Sequence, residues 1–331
     1  MLIDWISCAF YCVHEKINAG QIISVNPDGT LEYEIDKRKQ VPSYSTSVSI
    51  RSAYDLNFGP CDDPKLPNVI YISGNPAKWL NKGHNFFFDG DIDFTKWVKE
   101  VLDTAGVIYR SQLHFIPVRI SRLDLTLHYD LKNNSNVNRY LHHTMKHARS
   151  RNGTSLNSGN TVYFNKTSRR WTIKMYNKLE ESLKHPPLES MSNLMQFVTG
   201  HLRVELTLRS KEIEQLGIRN YDQLKQSNLF DIFLNYMSRL SIPKNANISV
   251  DGLTRSQVMA FHLWRSGEDL RALYSRPQFY KHRSALLPRG VDISTPPTEA
   301  ADLGLAPEAD ILYIDFRQPC RLKSINQSLK V

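Results

Sequence analysis

The chain predicts an α+β fold: a mainly antiparallel sheet with helices on one face, followed by a small helical C-terminal domain. Three observations carry this reading. Val118–His128, Trp171–Lys178 and His201–Arg209 alternate apolar and polar residues, the period of two that sends one set to a core and the other to the opposite face of a sheet. Stretches with helical spacing fall between strand-like ones without a strict βαβ rhythm. From Tyr221 to about residue 294 the pattern becomes helical.

Taken in order, Ile22–Ser24 and Leu31–Tyr33 flank Asn26-Pro27-Asp28-Gly29, a turn signal that predicts a hairpin. Ser47–Arg51 and Val69–Ser73 read as further strands. Pro76 can open a short helix and Gly83 can close it, leaving His84 at the exit of a tight turn. Phe94, Trp97, Val98 and Val101 have helical spacing, and Val137–His147 reads as a helix after the first alternating strand. Beyond residue 215, Leu229–Leu240 is an amphipathic helix and Thr254 caps another through Trp264. Leu270–Tyr274 and Gln278–Leu287 follow. Thr295–Glu308, rich in Pro, Ala, Thr and Glu, reads as a linker, and Ile311–Phe316 alternates again, as a returning strand would. The expected division is therefore 1–215, 216–294 and 295–331.

Lys and Arg number 42 against 33 Asp and Glu, a formal charge of +9 that suits a polyanionic partner. Cys8, Cys12, Cys61 and Cys320 are scattered without zinc spacing or a disulfide ladder, so they read as reduced thiols. Met1–His14 is apolar but short, carries Asp4 and lacks a basic leader, which argues against a signal peptide. No stretch approaches the ~18 apolar residues of a membrane span.

The polar faces of the three alternating strands hold chemistry. Asp124 and Glu205 are hard oxygen donors suited to Mg2+ or Mn2+, yet Arg122 and Arg203 lie near enough in sequence to make them ordinary ion pairs. Tyr176 is a candidate nucleophile, flanked two residues either way by Lys174 and Lys178, which could help its hydroxyl ionise. Tyr163 is a second candidate with similar local support. Both tyrosines also suit amphipathic sheet positions. His84 is either a ligand or a turn hydrogen-bonder. His142, His143 and His147, beside Arg139 and Lys146, read as a basic helix face rather than a zinc site. No strand carries a His-hydrophobic-His triplet.

Asn75–Asn85, the strand Ile120–Asp124, the segment Asn165–Lys178 and Arg203-Val204-Glu205 occur in that order. Together they resemble the filamentous-phage replication initiators, the gene II protein family, over about residues 1–215 and more loosely through 275–294 and 313–319. The resemblance implies a rolling-circle nickase-like fold and a site-specific, metal-dependent endonuclease. Such an enzyme nicks the plus strand of double-stranded phage origin DNA, stays joined to the 5′ phosphate through tyrosine, and later rejoins the displaced single strand. It also implies Mg2+ or Mn2+ as cofactor, host helicase, polymerase and single-strand-binding protein as partners, and the cytoplasm of the bacterial host as location.

The family's nucleophile falls on Tyr176, its acidic positions on Asp124 and Glu205, and its Gly-His-Asn turn on Gly83-His84-Asn85. That places His84 ahead of His128 and His201 as third metal ligand. Tyr163 matches an aromatic position that is not always tyrosine. Lys178 or Lys174 would then assist Tyr176 or steady the phosphate, with Arg122, Arg169, Arg170 and Arg203 as backbone clamps. In the helix Gln278–Leu287, Lys281 and Arg283 would meet origin DNA while Phe279 and Leu286 pack inward. A basic surface helix packed on the catalytic domain fits the same residues. Two other classes remain: a non-catalytic DNA-binding regulator, and a relaxase-like or transposase-like nuclease acting on single strands.

Overall fold

The computed structural model describes residues 2–44, 46–59, 63, 65–81, 92–110, 118–150, 153–154, 156–158, 160–184, 198–242, 252–289, 291–294 and 314–320. Its strands are β1 (Leu2–Tyr11), β2 (Gln21–Val25), β3 (Leu31–Asp36), β4 (Lys39–Pro42), β5 (Ser47–Ala53), β6 (Val69–Gly74) and β7 (Val118–Asp130). They continue with β8 (Arg149–Ser150), β9 (Gly153–Thr154), β10 (Leu156–Ser158), β11 (Thr161–Phe164), β12 (Trp171–Asn177), β13 (His201–Arg209) and β14 (Leu240–Ser241). Nine of them form one sheet in the order β10-β11-β12-β13-β7-β1-β6-β5-β4. The pairings within this sheet are antiparallel, so the expected fold class holds. The three alternating segments are the adjacent strands β12, β13 and β7.

The helices are α1 (Pro76–Leu80), α2 (Phe94–Thr104), α3 (Asn134–His147), α4 (Lys178–Lys184), α5 (Ser210–Gln215), α6 (Tyr221–Gln226), α7 (Leu229–Met237), α8 (Arg255–Arg265), α9 (Leu270–Leu273) and α10 (Arg276–Leu286). Their starts follow local chemistry. Asn75, Asp93, Asn133 and Asn228 each accept a backbone N–H from the first turn that follows, satisfying donors a helix start leaves free. Thr254 and Gln257 form a capping box at α8.

One face of the sheet is apolar. Leu123, Leu125, Leu206, Leu208, Ile173, Met175, Ile6 and Phe10 pack there with Trp97 and Val101 of α2, Val137 and Leu141 of α3, and Phe233 of α7. A second cluster gathers Ala260, Phe261, Leu270, Phe279, Leu286, Val291 and Ile293. Ile218, Leu224, Tyr236 and Met237 belong to the first core, so α6 and α7, which follow the division expected at residue 215, pack with the sheet. The amphipathic stripe of α7 shows that it buries a face without showing against what, and here its partner is the sheet.

The expected hairpin is β2–β3, closed by Asn26–Thr30, with Gly29 at φ 86° where a side chain would be strained. Of the expected returning strand, residues 311–313 lie outside the described residues, and Ile314–Cys320 forms a turn and irregular chain rather than a strand. It docks on β7 through Cys320 N–H to the His128 carbonyl at 2.8 Å and the Tyr129 hydroxyl to the Phe316 carbonyl at 3.0 Å. The linker region 295–313 also lies outside the described residues. Among those described, no helix is long and apolar enough to cross a membrane.

Candidate active site

The register sets the polar groups in rows across the middle of the sheet. Tyr176, Arg203 and His128 are opposite one another on β12, β13 and β7; Lys174, Glu205 and Thr126 form the next row; Thr172, Thr207 and Asp124 the next. Directly opposite residues in an antiparallel sheet share a face, so the site is assembled by strand pairing alone. Tyr163 on β11 lies opposite Lys174 and shares that face.

Glu205 is the hub. Its carboxylate accepts the Tyr176 hydroxyl at 2.5 Å and Arg203 Nε at 2.8 Å on Oε1, and pairs with Lys174 Nζ at 2.6 Å on Oε2. Lys174 Nζ also sits 4.6 Å from the centre of the Tyr176 ring, a cation over its face. Asp124 is held in a two-pronged pair by Arg122, Nε to Oδ1 at 2.9 Å and Nη2 to Oδ2 at 2.6 Å. The ion pairs that the sequence left level with metal binding are thus both formed.

The polar face is buried rather than solvated. Asp124, His128, Tyr176, Lys178 and Glu205 each expose less than a tenth of their surface, and Arg203 exposes none. Burial pushes the Asp124 carboxyl up against the pull of Arg122, with Glu205 and Asp4 adding to the rise. It pushes the Tyr176 phenol well above its ordinary value, against Arg203. The imidazole of His128 is held well below its usual range by burial, then by Arg203, Lys178 and His201.

Two positions beside Glu205 and Tyr176 differ from expectation. Lys178 is not on the strand: Asn177 Oδ1 accepts the N–H groups of Leu179 and Glu180, so the strand ends and Lys178 opens α4. Its buried ammonium pairs with Glu181 Oε2 at 2.5 Å and is pushed down to about 8 by burial and Arg203, against Glu181. Arg203, expected as a backbone clamp, has no exposed surface for a phosphate and instead ties Glu205 to Asp4 Oδ2, 2.8 Å away. Asp4, which also accepts Asn75 Nδ2 at 2.8 Å, was missed as a site residue. Its signal was a lone acid in an otherwise apolar amino-terminal run, which is the interior strand β1 with a bulge at that position.

The other expected residues are dispersed. Tyr163 is half-buried with Lys166 Nζ 4.6 Å from its ring centre. Arg169 is exposed on the β11–β12 turn. Arg170 Nε binds Glu212 at 2.5 Å and its Nη2 meets Gln215, so its guanidinium anchors α5. His128 and His201 stack edge to face at 6.5 Å. His84 lies outside the described residues, among which no cluster of three or more His, Cys, Asp or Glu suited to a metal occurs. In α10 the buried side chains are Phe279, His282 and Leu286. Arg283, expected to meet origin DNA, is instead committed to Asp292, Nε to Oδ1 at 2.7 Å and Nη2 to Oδ2 at 2.8 Å; Lys281 is exposed.

Residues 2–227 match the N-terminal family of the replication-associated gene II protein, and residues 245–308 match its C-terminal family. The chain belongs to the replication-associated gene II protein family. It is 28% identical over 310 residues to the replication-associated gene II protein of Enterobacteria phage I2-2, covering 88% of each chain. A solved rolling circle replication initiator protein from Geobacillus stearothermophilus is 11% identical, covers 75% of this chain and 88% of its own, and has a TM-score of 0.33, a likeness too loose to define the fold. The site described above, from Asp4 to Glu205, falls wholly inside the N-terminal family match.

Proposed function

We propose that the chain initiates rolling-circle replication of phage DNA by nicking the plus strand at the origin through Tyr176 and later rejoining the displaced strand. The observation that carries this reading is the Tyr176 hydroxyl, donating to Glu205 on a strand face it shares with Asp124 and Lys174. A phenol is a poor nucleophile until its proton leaves, and Glu205 is in place to take it. The Tyr176 oxygen attacks the scissile phosphorus, the bond to the 3′ oxygen breaks, and that oxygen leaves as a 3′ hydroxyl after gaining a proton. The 5′ phosphate remains on Tyr176, so a 3′ hydroxyl attacking the same phosphorus reverses the step and reseals the strand without ATP.

Arg203 lowers the cost of negative charge on Tyr176 and cannot move, because it is locked between Asp4 and Glu205. Lys174, with a third of its side chain exposed, is placed to meet the phosphate from the accessible side. A divalent cation fits Asp124 and Glu205 by type: both are hard oxygen donors, and Glu205 lies close enough to Asp124 to raise its carboxyl. The cations that pair with Asp124 and with Glu205 Oε2, Arg122 and Lys174, are the exposed ones, so both carboxylates can be freed without disturbing Arg203. Bound Mg2+ or Mn2+ would polarise the phosphate and stabilise its developing charge. His84 remains a proposed third ligand.

The test is nicking of supercoiled plasmid and of single-stranded DNA, each bearing the origin of the phage genome that encodes the chain, with peptide mapping of any covalent adduct. Nicking of the supercoiled form, an adduct on Tyr176, and loss of both in Tyr176→Phe are expected. An adduct on Tyr163 with Tyr176→Phe still active sinks the residue assignment. Cleavage of single strands alone favours a relaxase-like or transposase-like enzyme, and binding without any nick a regulator.

A further inference from the structure

Beyond the carboxylates, the polar face of the sheet continues across β1, β6 and β5. Arg122, Ser7, Ser73 and Ser49 are opposite one another in a single row over four strands, and Arg51, two residues along β5 from Ser49, lies opposite Tyr71 in β6. The row floors a cleft of about 180 Å³, with Arg38 and Arg51 on one side and Arg122 on the other. Among the described residues no carboxylate lines it. Its floor is rigid. Ser7 and Ser73 share a hydrogen bond at 2.6 Å, and Trp5 Nε1 donates to Ser73 Oγ at 3.0 Å.

Arg51 is the informative residue. Its guanidinium lies over the Tyr71 ring, 4.5 Å from the ring centre, a contact that uses none of its N–H donors. Its Nε is buried and has no hydrogen-bond partner among the described residues. Among those residues no acid answers it, unlike Arg122, Arg170, Arg203 and Arg283. A buried donor left unsatisfied is costly, so such a group is expected to have an acceptor in the working complex. A guanidinium held over an aromatic ring, hydroxyls and an excess of positive charge together match a tetrahedral oxyanion.

We propose that this cleft seats one backbone phosphate of the bound DNA strand, held by Arg51 with Ser49 and Ser73, across Arg122 from Asp124. The proposal rests on the strand-cutting reading of Tyr176 for its ligand and deepens it by fixing how the strand is laid over the sheet. β5 is five ladder steps from β12, roughly 24 Å. The seated phosphate therefore belongs several nucleotides from the bond that Tyr176 attacks, and the strand crosses the sheet along the rows of paired side chains. Arg51 is a positioning residue in this scheme, because it touches the substrate far from the reacting atoms.

The experiment measures binding of an origin-strand oligonucleotide to the full-length protein in a Tyr176→Phe background. One neutral methylphosphonate replaces each phosphate in turn. At one linkage, several nucleotides from the nick position, the neutral group is expected to weaken binding about tenfold. Arg51→Gln should weaken binding of the unmodified strand by a similar factor and add no further loss at that linkage. It should also lower the slope of log affinity against log salt by about 0.7. Ser49→Ala should show a smaller loss at the same linkage, which keeps the test alive if Arg51→Gln folds poorly.

Unchanged affinity and an unchanged scan in a folded Arg51→Gln protein would overturn the proposal, as would fully additive losses at every linkage. Inorganic phosphate added at constant ionic strength separates a free-anion site. If it stabilises the starting protein but not Arg51→Gln while the scan stays flat, the cleft does not hold the DNA backbone. Persistent nicking by Tyr176→Phe alongside an Arg51-dependent linkage would instead remove the cleavage assignment and leave this seat standing.

Discussion

Arg203 and Glu205, two residues apart on one face of β13, are joined by a hydrogen bond of 2.8 Å from Nε to Oε1, and the guanidinium is entirely buried. The pair holds the acceptor of the Tyr176 proton in place. A charge taken this far from water survives only with its partners, here Glu205 and Asp4.

Removing one partner should therefore be severe. Arg203→Met is expected to lower stability by about 3–5 kcal/mol in urea unfolding, because Glu205 and Asp4 lose their shared cation. Glu205→Gln should cost less, since Arg203 retains Asp4 and Lys174 can turn to water. The double variant should recover part of the loss. Strictly additive effects would show that Arg203 and Glu205 are not coupled.

Lys178 should give stability a recognisable pH dependence. Its ammonium is pushed down to about 8 in the folded protein, whereas an unfolded chain holds a lysine proton to about 10.4. Between those values the unfolded chain binds the extra proton, so stability rises with pH across the window; below about 8 both states are charged and the cost of burial is fully present. Lys178→Met removes that slope, on the order of 3 kcal/mol over the window. Unfolding midpoints from pH 7 to 10 should move in favour of the lysine protein relative to the variant as pH rises. A difference that does not change with pH would mean Lys178 is not a buried charge.

Gly200, which leads into β13, has φ 77°, and a Cβ built there falls 2.7 Å from the backbone of Lys132 and Asn133. Both the conformation and the space exclude a side chain, and the obstacle is main chain that cannot swing away. Gly200→Ala should cost at least about 1–3 kcal/mol and disturb the strand carrying Arg203 and Glu205. Normal stability in that variant would show that the β13 entry can be rebuilt without loss of register.

Much of this arrangement was legible because strict alternation fixes which side chains share a face. Val118–His128, Trp171–Lys178 and His201–Arg209 became three adjacent strands, and Asp124, Tyr176 and Glu205 met on one side of them. What alternation does not encode is the partner across the ladder or the depth of burial. Asp4 joined the cluster through a bulge in β1, a break in the very periodicity that reveals strands. Alternation carries Lys178 into the strand, but the side chain of Asn177 begins a helix one residue earlier than the pattern suggests. Arg170 and Arg283 looked available until the fold brought Glu212 and Asp292 to them from later in the chain.

Two basic residues of α10 should separate cleanly. Arg283 grips Asp292 with both prongs; burial pushes that carboxyl up, but the bonds from Arg283 and Ser294 outweigh it and hold it well below the usual range. Arg283→Ala should therefore destabilise the helical unit by about 2 kcal/mol, the worth of hydrogen bonds between charged groups, and change DNA binding only as far as the unit unfolds. Lys281 is exposed and pairs with no acid among the described residues, so Lys281→Ala should leave stability within ~0.5 kcal/mol. If α10 lies along the duplex, the same variant should lower affinity for origin and unrelated DNA alike and reduce the salt slope by about 0.9. Thermal melts and binding across a salt series, run on both variants, give the answer. Loss of origin preference in Arg283→Ala with an unchanged melt would return that arginine to the DNA, and an unchanged salt slope in Lys281→Ala would take the helix off it.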